Sequence, residues 1–429
     1  MKTNKTLLST AVAFGLLSSA NLANAAGFQL AEYSATGLGR AYAGEAAMAD
    51  NASAQWRNPA MLTYLEGTQV SVGAIYVNPN IDVEGEVRHP MLGNTAASSE
   101  DFAHDAIIPN LYISHRYNDQ LAIGFALGTN YGMETDLGKD FAASHFGNEA
   151  SVISKEANLN LAYQLNEQFS IGGGVRYIIA EGSFGATAPE TNILNLPQGT
   201  TLKYMEGDDT TWGWQVGSAW QINENHRVGF TYKSEVELKL EGHAEGVGFG
   251  INPKSRDNGY MYLTLPATAE LASFHQLTEK LAMHASFNWT DWSSFEKLEA
   301  HMETAGTQMV KEEHWEDNYR FAVGATYQLQ PKLALRTGIA YDTSAVSDKN
   351  RTITIPETDR TWLSVGATYD WTQNFTLDAG FTYIIAKDAP IKESRGYTTD
   401  QTAEDIAGQF VGETTGNVWL IGVQANYRF

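Results

Sequence analysis

Apolar and polar residues alternate at every second position in one segment after another from Gln69 onward. The same division recurs near residues 281–289, 321–328, 333–342 and 375–383. In the last segment, the apolar positions are Trp419, Ile421, Val423, Ala425, Tyr427 and Phe429. Because successive side chains of a β-strand point to opposite faces, this pattern predicts strands with one apolar and one polar face. The chain is therefore predicted to be all-β.

The start of the chain has the organisation of a cleaved signal peptide. Lys2 and Lys5 precede an apolar run at residues 7–17, and residues 23–25 supply small side chains for cleavage. This predicts a signal peptide at residues 1–25 and a mature chain that starts at Ala26. No later segment reaches the roughly 18 uninterrupted apolar residues of a spanning helix, which leaves a secreted protein or a membrane β-barrel.

Charge and cysteine content exclude several kinds of partner. The net charge is -22, which argues against nucleic-acid binding because phosphates require a basic face. The sequence has no cysteine, which excludes a disulfide framework and a thiolate metal site.

The lengths of the connections separate a barrel from a soluble sandwich, which would also alternate. Short turns are predicted at residues 117–120, 165–168, 221–226, 275–280, 329–332 and 370–374. Long polar connections lie between them at residues 80–107, 133–152, 183–208, 241–259, 291–317, 344–359 and 386–416. Short turns opposite long loops are typical of outer-membrane barrels, and six short turns with two free ends give about fourteen strands. We predict a transmembrane antiparallel β-barrel over residues 67–429.

A stretch rich in small residues precedes the first strand. Residues 37–44 and 56–60 are compact, residues 44–50 suggest a short helix, and the whole stretch is too short to form its own core. We therefore predict that residues 26–66 form an N-terminal hatch, or plug, inside the lumen. At the other end, the aromatic residue Phe429 fits a closing strand that the barrel assembly machinery reads.

The sequence offers few groups for catalysis or metal binding. His284, Ser286 and Asn288 resemble the triad of an outer-membrane hydrolase, but side chains at i, i+2 and i+4 of a strand stand in parallel and do not converge on one atom. The carboxylate pairs at residues 208–209, 312–313 and 316–317 lack the spacing of a calcium loop. We expect no catalytic residue, no metal and no cofactor.

Five arginines fall on the polar face by strand parity: Arg176, Arg320, Arg336, Arg360 and Arg428. A guanidinium inside a barrel must be paired or hydrated. The candidate partners are Glu45, Asp50, Asp342, Asp359 and Asp378. Two interpretations stay open: the arginines hold the plug through carboxylates, or they attract an anionic ligand.

Motifs along the whole mature chain resemble the FadL family of outer-membrane long-chain fatty acid transporters. They occur at residues 26–30, 37–42, 57–60, 109–112, 129–132, 206–209, 227–229, 337–342 and 355–360. It is the joint order of these motifs that is specific. The resemblance implies a fourteen-stranded barrel with an N-terminal hatch, in agreement with the strand count.

The resemblance also implies a route. An amphipathic ligand lodges between outer loops, enters an apolar pocket, displaces the segment around Phe28, and leaves sideways through an inward kink in the third strand, at about residues 121–132. The residues then expected to contact ligand are Phe28, Leu30, Lys311, Arg320 and Arg360. The residues expected to control gating are Asn58, Pro59, Ala60, Gly124, Gly128 and Gly132.

One departure from the family leaves the ligand open. Residues 180–185 contain no basic side chain where well-studied relatives place one near the ligand carboxylate. Long-chain fatty acids are the first hypothesis, and neutral or aromatic hydrocarbons taken up by the same route are the alternative. A water-filled porin is disfavoured because it would not need a plug, and a second role as adhesin or phage receptor stays open. The expected surroundings are outer-membrane lipid, with the chain acting as a monomer because a closed barrel has no free edge.

Overall fold

The computed structural model describes residues 27–252, 255–394 and 400–429, so the predicted signal peptide lies outside the described residues. Fourteen strands form one closed antiparallel barrel, and the last strand pairs with the first from Gln69 opposite Arg428 to Arg88 opposite Gln409. They are β1 (Thr68–His89), β2 (Ala106–Arg116), β3 (Leu121–Gly128), β4 (Glu149–Gln164), β5 (Phe169–Thr187), β6 (Thr201–Asn223), β7 (His226–Lys233), β8 (Thr268–Gln276), β9 (Leu281–Thr290), β10 (Asn318–Gln330), β11 (Leu333–Asp342), β12 (Arg360–Asp370), β13 (Phe375–Ala386) and β14 (Gln409–Arg428). The predicted fold class is confirmed.

The apolar face of the strands points outward. Val175, Phe321 and Val365 are about half exposed, whereas the adjacent Arg176 is only 2% exposed. An apolar surface that surrounds a barrel is stable in hydrocarbon and unstable in water. The alternation read from the sequence therefore separates the lipid face from the lumen. In the described part of the chain, no helix is long and apolar enough to cross a membrane.

Residues 27–66, called the hatch below, fill the lumen with short helical turns. They contain α1 (Ala35–Leu38), α2 (Ala54–Arg57) and two 3₁₀ turns (Glu45–Ala47 and Pro59–Tyr64). The helix suggested for residues 44–50 is only the first of these 3₁₀ turns. Gly44 adopts a φ of 79°, which fits a chain that turns within a narrow lumen. Most hatch side chains are buried.

The long connections at the outer rim contain more strand than the sequence suggested. Further strands lie at Gly93–Ser99, Gly132–Asp136, Val236–Glu245, Asp257–Leu265, Lys297–Met302, Gly306–Glu312 and Ala389–Ser394, with 3₁₀ turns at Val247–Phe249 and Trp292–Ser294 and helix α3 at Asp400–Ala407. A barrel strand crosses the bilayer in about 9–11 residues, whereas β6 has 23. Beyond the bilayer neither face must be uniformly apolar, so backbone pairing continues although the alternation weakens.

Candidate ligand path

Charged residues hold the hatch within the lumen. Arg40 binds Glu45 at 2.5 Å and Asp50 at 2.8 Å, and Arg336 of β11 lies 3.9 Å from Asp50. Burial by itself would raise the pKa of Asp50, but Arg40 and Arg336 lower this pKa to about 2. A buried ion-pair network of this kind costs free energy when one member is removed. It fixes the position of the hatch relative to β11.

Four of the five arginines predicted to face the interior are buried. Arg428 is the exception, because it lies at the rim with a half-exposed side chain, 3.7 Å from Glu66. By parity Arg428 lies on the same face as the buried Gln424 and Asn426, and its side chain is exposed because it lies beyond the filled part of the lumen. The partner of Arg360 was not among the predicted carboxylates, because Arg360 pairs with Glu357. The predicted partner Asp359 instead accepts the backbone N–H of Ser344.

Asn58 and Pro59 anchor the hatch against the barrel wall. The side-chain amide of Asn58 donates to the carbonyl of Ala46 at 2.6 Å and to that of Ser218 at 3.1 Å. Its Oδ1 accepts the N–H of Ala60 at 3.0 Å, which caps the 3₁₀ turn that Pro59 begins. The motif is therefore bonded both to the hatch and to β6.

The wall has an opening between β2 and the segment that follows β3. Backbone pairing between β2 and β3 ends at Leu111 opposite Leu127. The next backbone bridge between the two segments is formed by Ala103 and Thr135. Between these points, residues 106–110 of β2 pair with β1 on one side and have no strand partner on the other among the described residues. We call this interruption the opening.

One extra residue accounts for the departure of the chain from the wall. Gly128 pairs with Glu156 of β4, and Gly132 pairs with Ile153, so four residue steps of one strand face three of the other. An extra residue of this kind bends a strand. Residues 129–131, called the bend below, turn towards the lumen.

Polar contacts fasten the bend to β4. The hydroxyl of Ser154 donates to the carbonyl of Tyr131 at 2.8 Å and accepts its N–H at 3.1 Å. The amide of Asn130 donates to Glu156 at 2.6 Å, and Arg176 donates two hydrogen bonds to the same carboxylate at 2.8 and 2.9 Å. The bend is thus a satisfied hydrogen-bonded structure.

The glycines of β3 lie close to the hatch. A Cβ at Gly124 would lie 2.1 Å from the side-chain oxygen of Gln55, and a Cβ at Gly128 would lie 3.0 Å from the ring of Trp56. Gly124 is regularly paired with its neighbours, whereas Gly128 is the last paired residue before the bend. A side chain at Gly124 would therefore displace the side-chain ends of Gln55 and Leu62.

The first hatch residues run along the bend as a short added strand. The N–H of Leu30 donates to the carbonyl of Asn130 at 2.7 Å, and the N–H of Gly132 donates to the carbonyl of Phe28 at 2.7 Å. We call residues 28–30 the N-terminal segment. It covers the inner side of the bend.

Phe28 lines an apolar cavity. Its ring is 1% exposed and packs against Trp292 at 4.6 Å, Phe295 at 5.9 Å, Trp315 at 5.9 Å and Tyr131 at 6.2 Å between ring centroids. The cavity has a volume of about 50 Å³, whereas ligand pockets usually measure about 300–1,000 Å³. A ligand with a long hydrocarbon chain therefore enters only if neighbouring side chains, with Phe28 foremost, move.

Lys311 is the one basic side chain among the described residues that line this cavity. Its ammonium donates to the hydroxyl of Thr352 at 2.7 Å and lies 3.4 Å from Glu313. Glu313 in turn accepts the indole N–H of Trp315 at 3.0 Å. Lys311 also borders a polar vestibule of about 610 Å³ among the outer connections. It thus lies between vestibule and cavity, with its charge already paired.

An outer connection also reaches the start of the hatch. The backbone N–H of Gly27 donates to Glu357, which pairs with Arg360. Burial raises the pKa of Glu357 to about 7, although Arg360 and Gly27 favour the ionised form. The loop before β12 therefore holds the first described residue of the chain.

The structure brings together only part of the predicted ligand-binding set. Phe28 and Lys311 line the cavity. Arg320 donates to the carbonyl of Ala41 at 2.8 Å and lies over Trp362, and Arg360 is engaged by Glu357. Leu30 packs in the hatch core.

The aromatic residues around Phe28 were missed from the sequence, and Glu313 was considered only as a metal-binding carboxylate. Trp292, Phe295 and Trp315 lie on a connection predicted only as polar, and their meeting depends on how that connection folds. A signal for Glu313 did exist: it is two residues from Lys311, a spacing that places both on the same side of extended chain.

A lipid-facing closed barrel with a filled lumen is the architecture of a plugged outer-membrane transporter. Residues 16–429 match the family model described as outer membrane protein transport protein (OMPP1/FadL/TodX), and the chain belongs to this family. It is therefore an outer-membrane protein of a transport family, as the sequence predicted.

Two relatives align over the full chain. The chain is 35% identical to outer membrane protein P1 of Haemophilus influenzae, and the alignment covers 100% of both proteins. It is 33% identical to a long-chain fatty acid transport protein of Escherichia coli O6:H1, over 100% of this chain and 99% of that protein.

Two crystal structures share the fold. A Pseudomonas aeruginosa FadL homologue superposes with a TM-score of 0.82 at 22% identity, covering 94% of this chain and 100% of that chain. The toluene transporter TodX of Pseudomonas putida superposes with a TM-score of 0.63 at 16% identity, covering 94% and 100%.

Proposed function

We propose that this chain carries long-chain fatty acids from the outer surface into the outer membrane, leaving through the opening beside the bend. The observation that carries this proposal is the end of pairing between β2 and β3 at Leu111 and Leu127, next to the bend to which the N-terminal segment with Phe28 is hydrogen-bonded. The relative named as a long-chain fatty acid transport protein supports the ligand class.

The physical argument for a sideways exit is the cost of the alternative. Each methylene group gains about 0.8 kcal/mol on moving from water to hydrocarbon. The lumen below the cavity is filled by the hatch and its ion pairs. An acyl chain therefore moves to lipid through the wall at lower free energy than to periplasmic water through the lumen.

In this proposal the domain predicted at residues 26–66 contains the hatch, and only part of the hatch moves. Ligand entry displaces the ring of Phe28 and then the N-terminal segment, which releases the inner side of the bend. Asn58, Pro59 and Ala60 keep the remainder of the hatch against β6, while Gly128 and Gly132 bound the opening. The protein performs no covalent chemistry, works as a monomer and reaches the membrane through the barrel assembly machinery, which reads Phe429.

A specific observation favours a second ligand class. The only basic group of the described cavity lining, Lys311, is already paired with Glu313. A cavity without net charge accepts neutral or aromatic hydrocarbons more readily than carboxylates, because burying an unpaired charge costs free energy. The fold shared with the toluene transporter fits this alternative.

Uptake of labelled oleate tests the proposal in cells that lack their own transporter. Wild type should restore uptake, whereas Gly128→Arg, which inserts a long side chain beside Trp56, and the double variant Asn58→Ala with Pro59→Ala should lose it while still inserting. Failure of wild type to carry oleate, with uptake of toluene, would move the assignment to hydrocarbons. Rapid liposome swelling in sugars would contradict a closed hatch and indicate a porin.

A further inference from the structure

A second buried lysine lies beside the bend. Lys233, the last residue of β7, faces the lumen and is 4% exposed. Its ammonium lies 3.3 Å from the amide oxygen of Asn130 and 4.7 Å from the centre of the Trp56 ring. Trp56 in turn packs against Gly128 at the edge of the opening. Lys233 is therefore placed where a ligand would leave.

Lys233 differs from Lys311 in its electrostatic surroundings. Within the described residues its polar contacts are an amide oxygen and an aromatic face, and it forms no ion pair. Burial disfavours the charge of its ammonium, and Arg176 and Arg57 repel it. Glu156 attracts it, but this carboxylate already accepts two hydrogen bonds from Arg176 and one from Asn130. A cation buried in this way gains from a further anion.

The N-terminal segment separates the two lysines. Phe28 borders the cavity that contains Lys311, and Leu30 is bonded to Asn130, the residue that Lys233 contacts. Displacement of the segment would join the cavity to the surroundings of Lys233. A carboxylate that meets a paired lysine first and an unpaired lysine second is drawn onwards.

We propose that Lys233 receives the carboxylate of the ligand at the opening, so that the hydrocarbon tail enters lipid before the head group. The cation holds the head while the tail passes through the wall, and hydration and membrane counter-ions then release it. This inference rests on the proposed transport of fatty acids, and it makes Lys233 a specificity residue for charged ligands over neutral ones of equal length.

The test compares uptake of oleate and of oleyl alcohol, which have the same chain and differ in charge. Lys233→Met should lower oleate uptake about tenfold, as expected for loss of a charge-assisted hydrogen bond, and should change oleyl alcohol uptake less than twofold. Lys233→Arg should retain most of the oleate uptake of wild type. Lys332→Met, which removes an exposed lysine from a short turn, is the matched control and should change neither.

Different outcomes identify different failures. If wild type carries oleyl alcohol and no oleate, the proposed fatty acid function fails before any variant is considered. If Lys233→Met lowers both ligands equally, the lysine only packs against Trp56 and the inference is wrong; no change in either ligand also overturns it. If Lys233→Met does not insert, Lys233→Gln replaces it, and a folded Lys233→Arg that carries only oleyl alcohol overturns the inference.

Discussion

The carbonyl of Phe28 accepts a hydrogen bond from the N–H of Gly132 at 2.7 Å, so a residue that lines the cavity is also bonded through its backbone to the chain beside the opening. The side chain of Phe28 lines the cavity, and its main chain is hydrogen-bonded to Gly132, next to the bend. Any ligand that moves the ring therefore acts on the backbone contact between the N-terminal segment and the chain at the bend. Phe28 therefore couples ligand entry into the cavity to the backbone contact at the bend.

Removing the ring of Phe28 should strengthen ligand binding and weaken transport. In Phe28→Ala the backbone contact with Gly132 can persist, but the ligand no longer has to displace an aromatic ring from among Trp292, Phe295 and Trp315. Because the free energy of that displacement no longer opposes binding, we expect oleate affinity to rise several-fold. Fluorescence titration measures the affinity and uptake measures transport. Phe169→Ala, on the outer face, is the control; weaker binding by Phe28→Ala would contradict the plug role.

Glu313 should set how strongly the cavity prefers carboxylates. Glu313→Gln removes the internal partner of Lys311, so a ligand carboxylate becomes the available counter-charge. We expect the affinity for oleate to rise about tenfold, since a hydrogen bond to a charged group contributes about 1.5–3 kcal/mol. Lys311→Met should lower it. A competition assay measures both affinities, and neither variant should change the affinity for oleyl alcohol. Equal effects on oleate and oleyl alcohol would show a packing change instead.

Two adjacent glycines of β5 offer a matched test of hatch docking. A Cβ at Gly172 would lie 2.5 Å from the backbone nitrogen of Ala60, whereas a Cβ at Gly173 meets nothing closer than 3.5 Å. Gly172→Ala should destabilise the docked hatch by about 1–3 kcal/mol, the usual cost of overpacking. Planar-bilayer conductance should show more frequent openings for Gly172→Ala. Similar traces for both variants would argue against tight docking here.

Ionisation of Glu32 should make the hatch less stable as pH rises. Burial raises the pKa of this carboxyl from 4.5 to about 7, against backbone N–H groups and Arg320 and Arg360. The folded hatch thus holds the proton more tightly than the unfolded chain, so its stability falls as pH rises towards and through 7. At about 1.4 kcal/mol per pKa unit, the loss between pH 5.5 and 8 is about 2 kcal/mol.

Hydrogen exchange of hatch amides at both pH values measures this loss. Glu32→Gln should remove that part of the dependence, while Glu66→Gln, at an exposed position, should leave it unchanged. Glu357, whose pKa is also raised to about 7, accounts for a remaining component. A Glu32→Gln profile identical to wild type would show that Glu32 is already ionised in the folded hatch.

The barrel was predictable because lipid imposes a local rule on every strand. Each outward position must be apolar, so the pattern at Val175 or Phe321 can be read without knowing its neighbours. The short turns follow from the same rule, since strand ends are visible where alternation stops. A plug was predictable because the residues before the first strand lack this pattern and are too few to form a core alone.

The ligand site was less predictable because it is made by residues distant in the chain. The family resemblance implied a kink within residues 121–132, but the register with β4 decides that the bend follows Gly128. Trp292 and Trp315 meet Phe28 only after an outer connection folds inward. Lys233 was not identified from the sequence, since nothing local reveals that Trp56 lies against it.

The interruption between β2 and β3 has a consequence for the cell envelope. If cargo leaves through the wall, the lumen can stay blocked during every transport cycle. The outer membrane then admits hydrophobic nutrients while remaining a barrier to sugars, salts and hydrophilic antibiotics. Nutrient uptake and antibiotic exclusion, which conflict in an open pore, can be met by one protein.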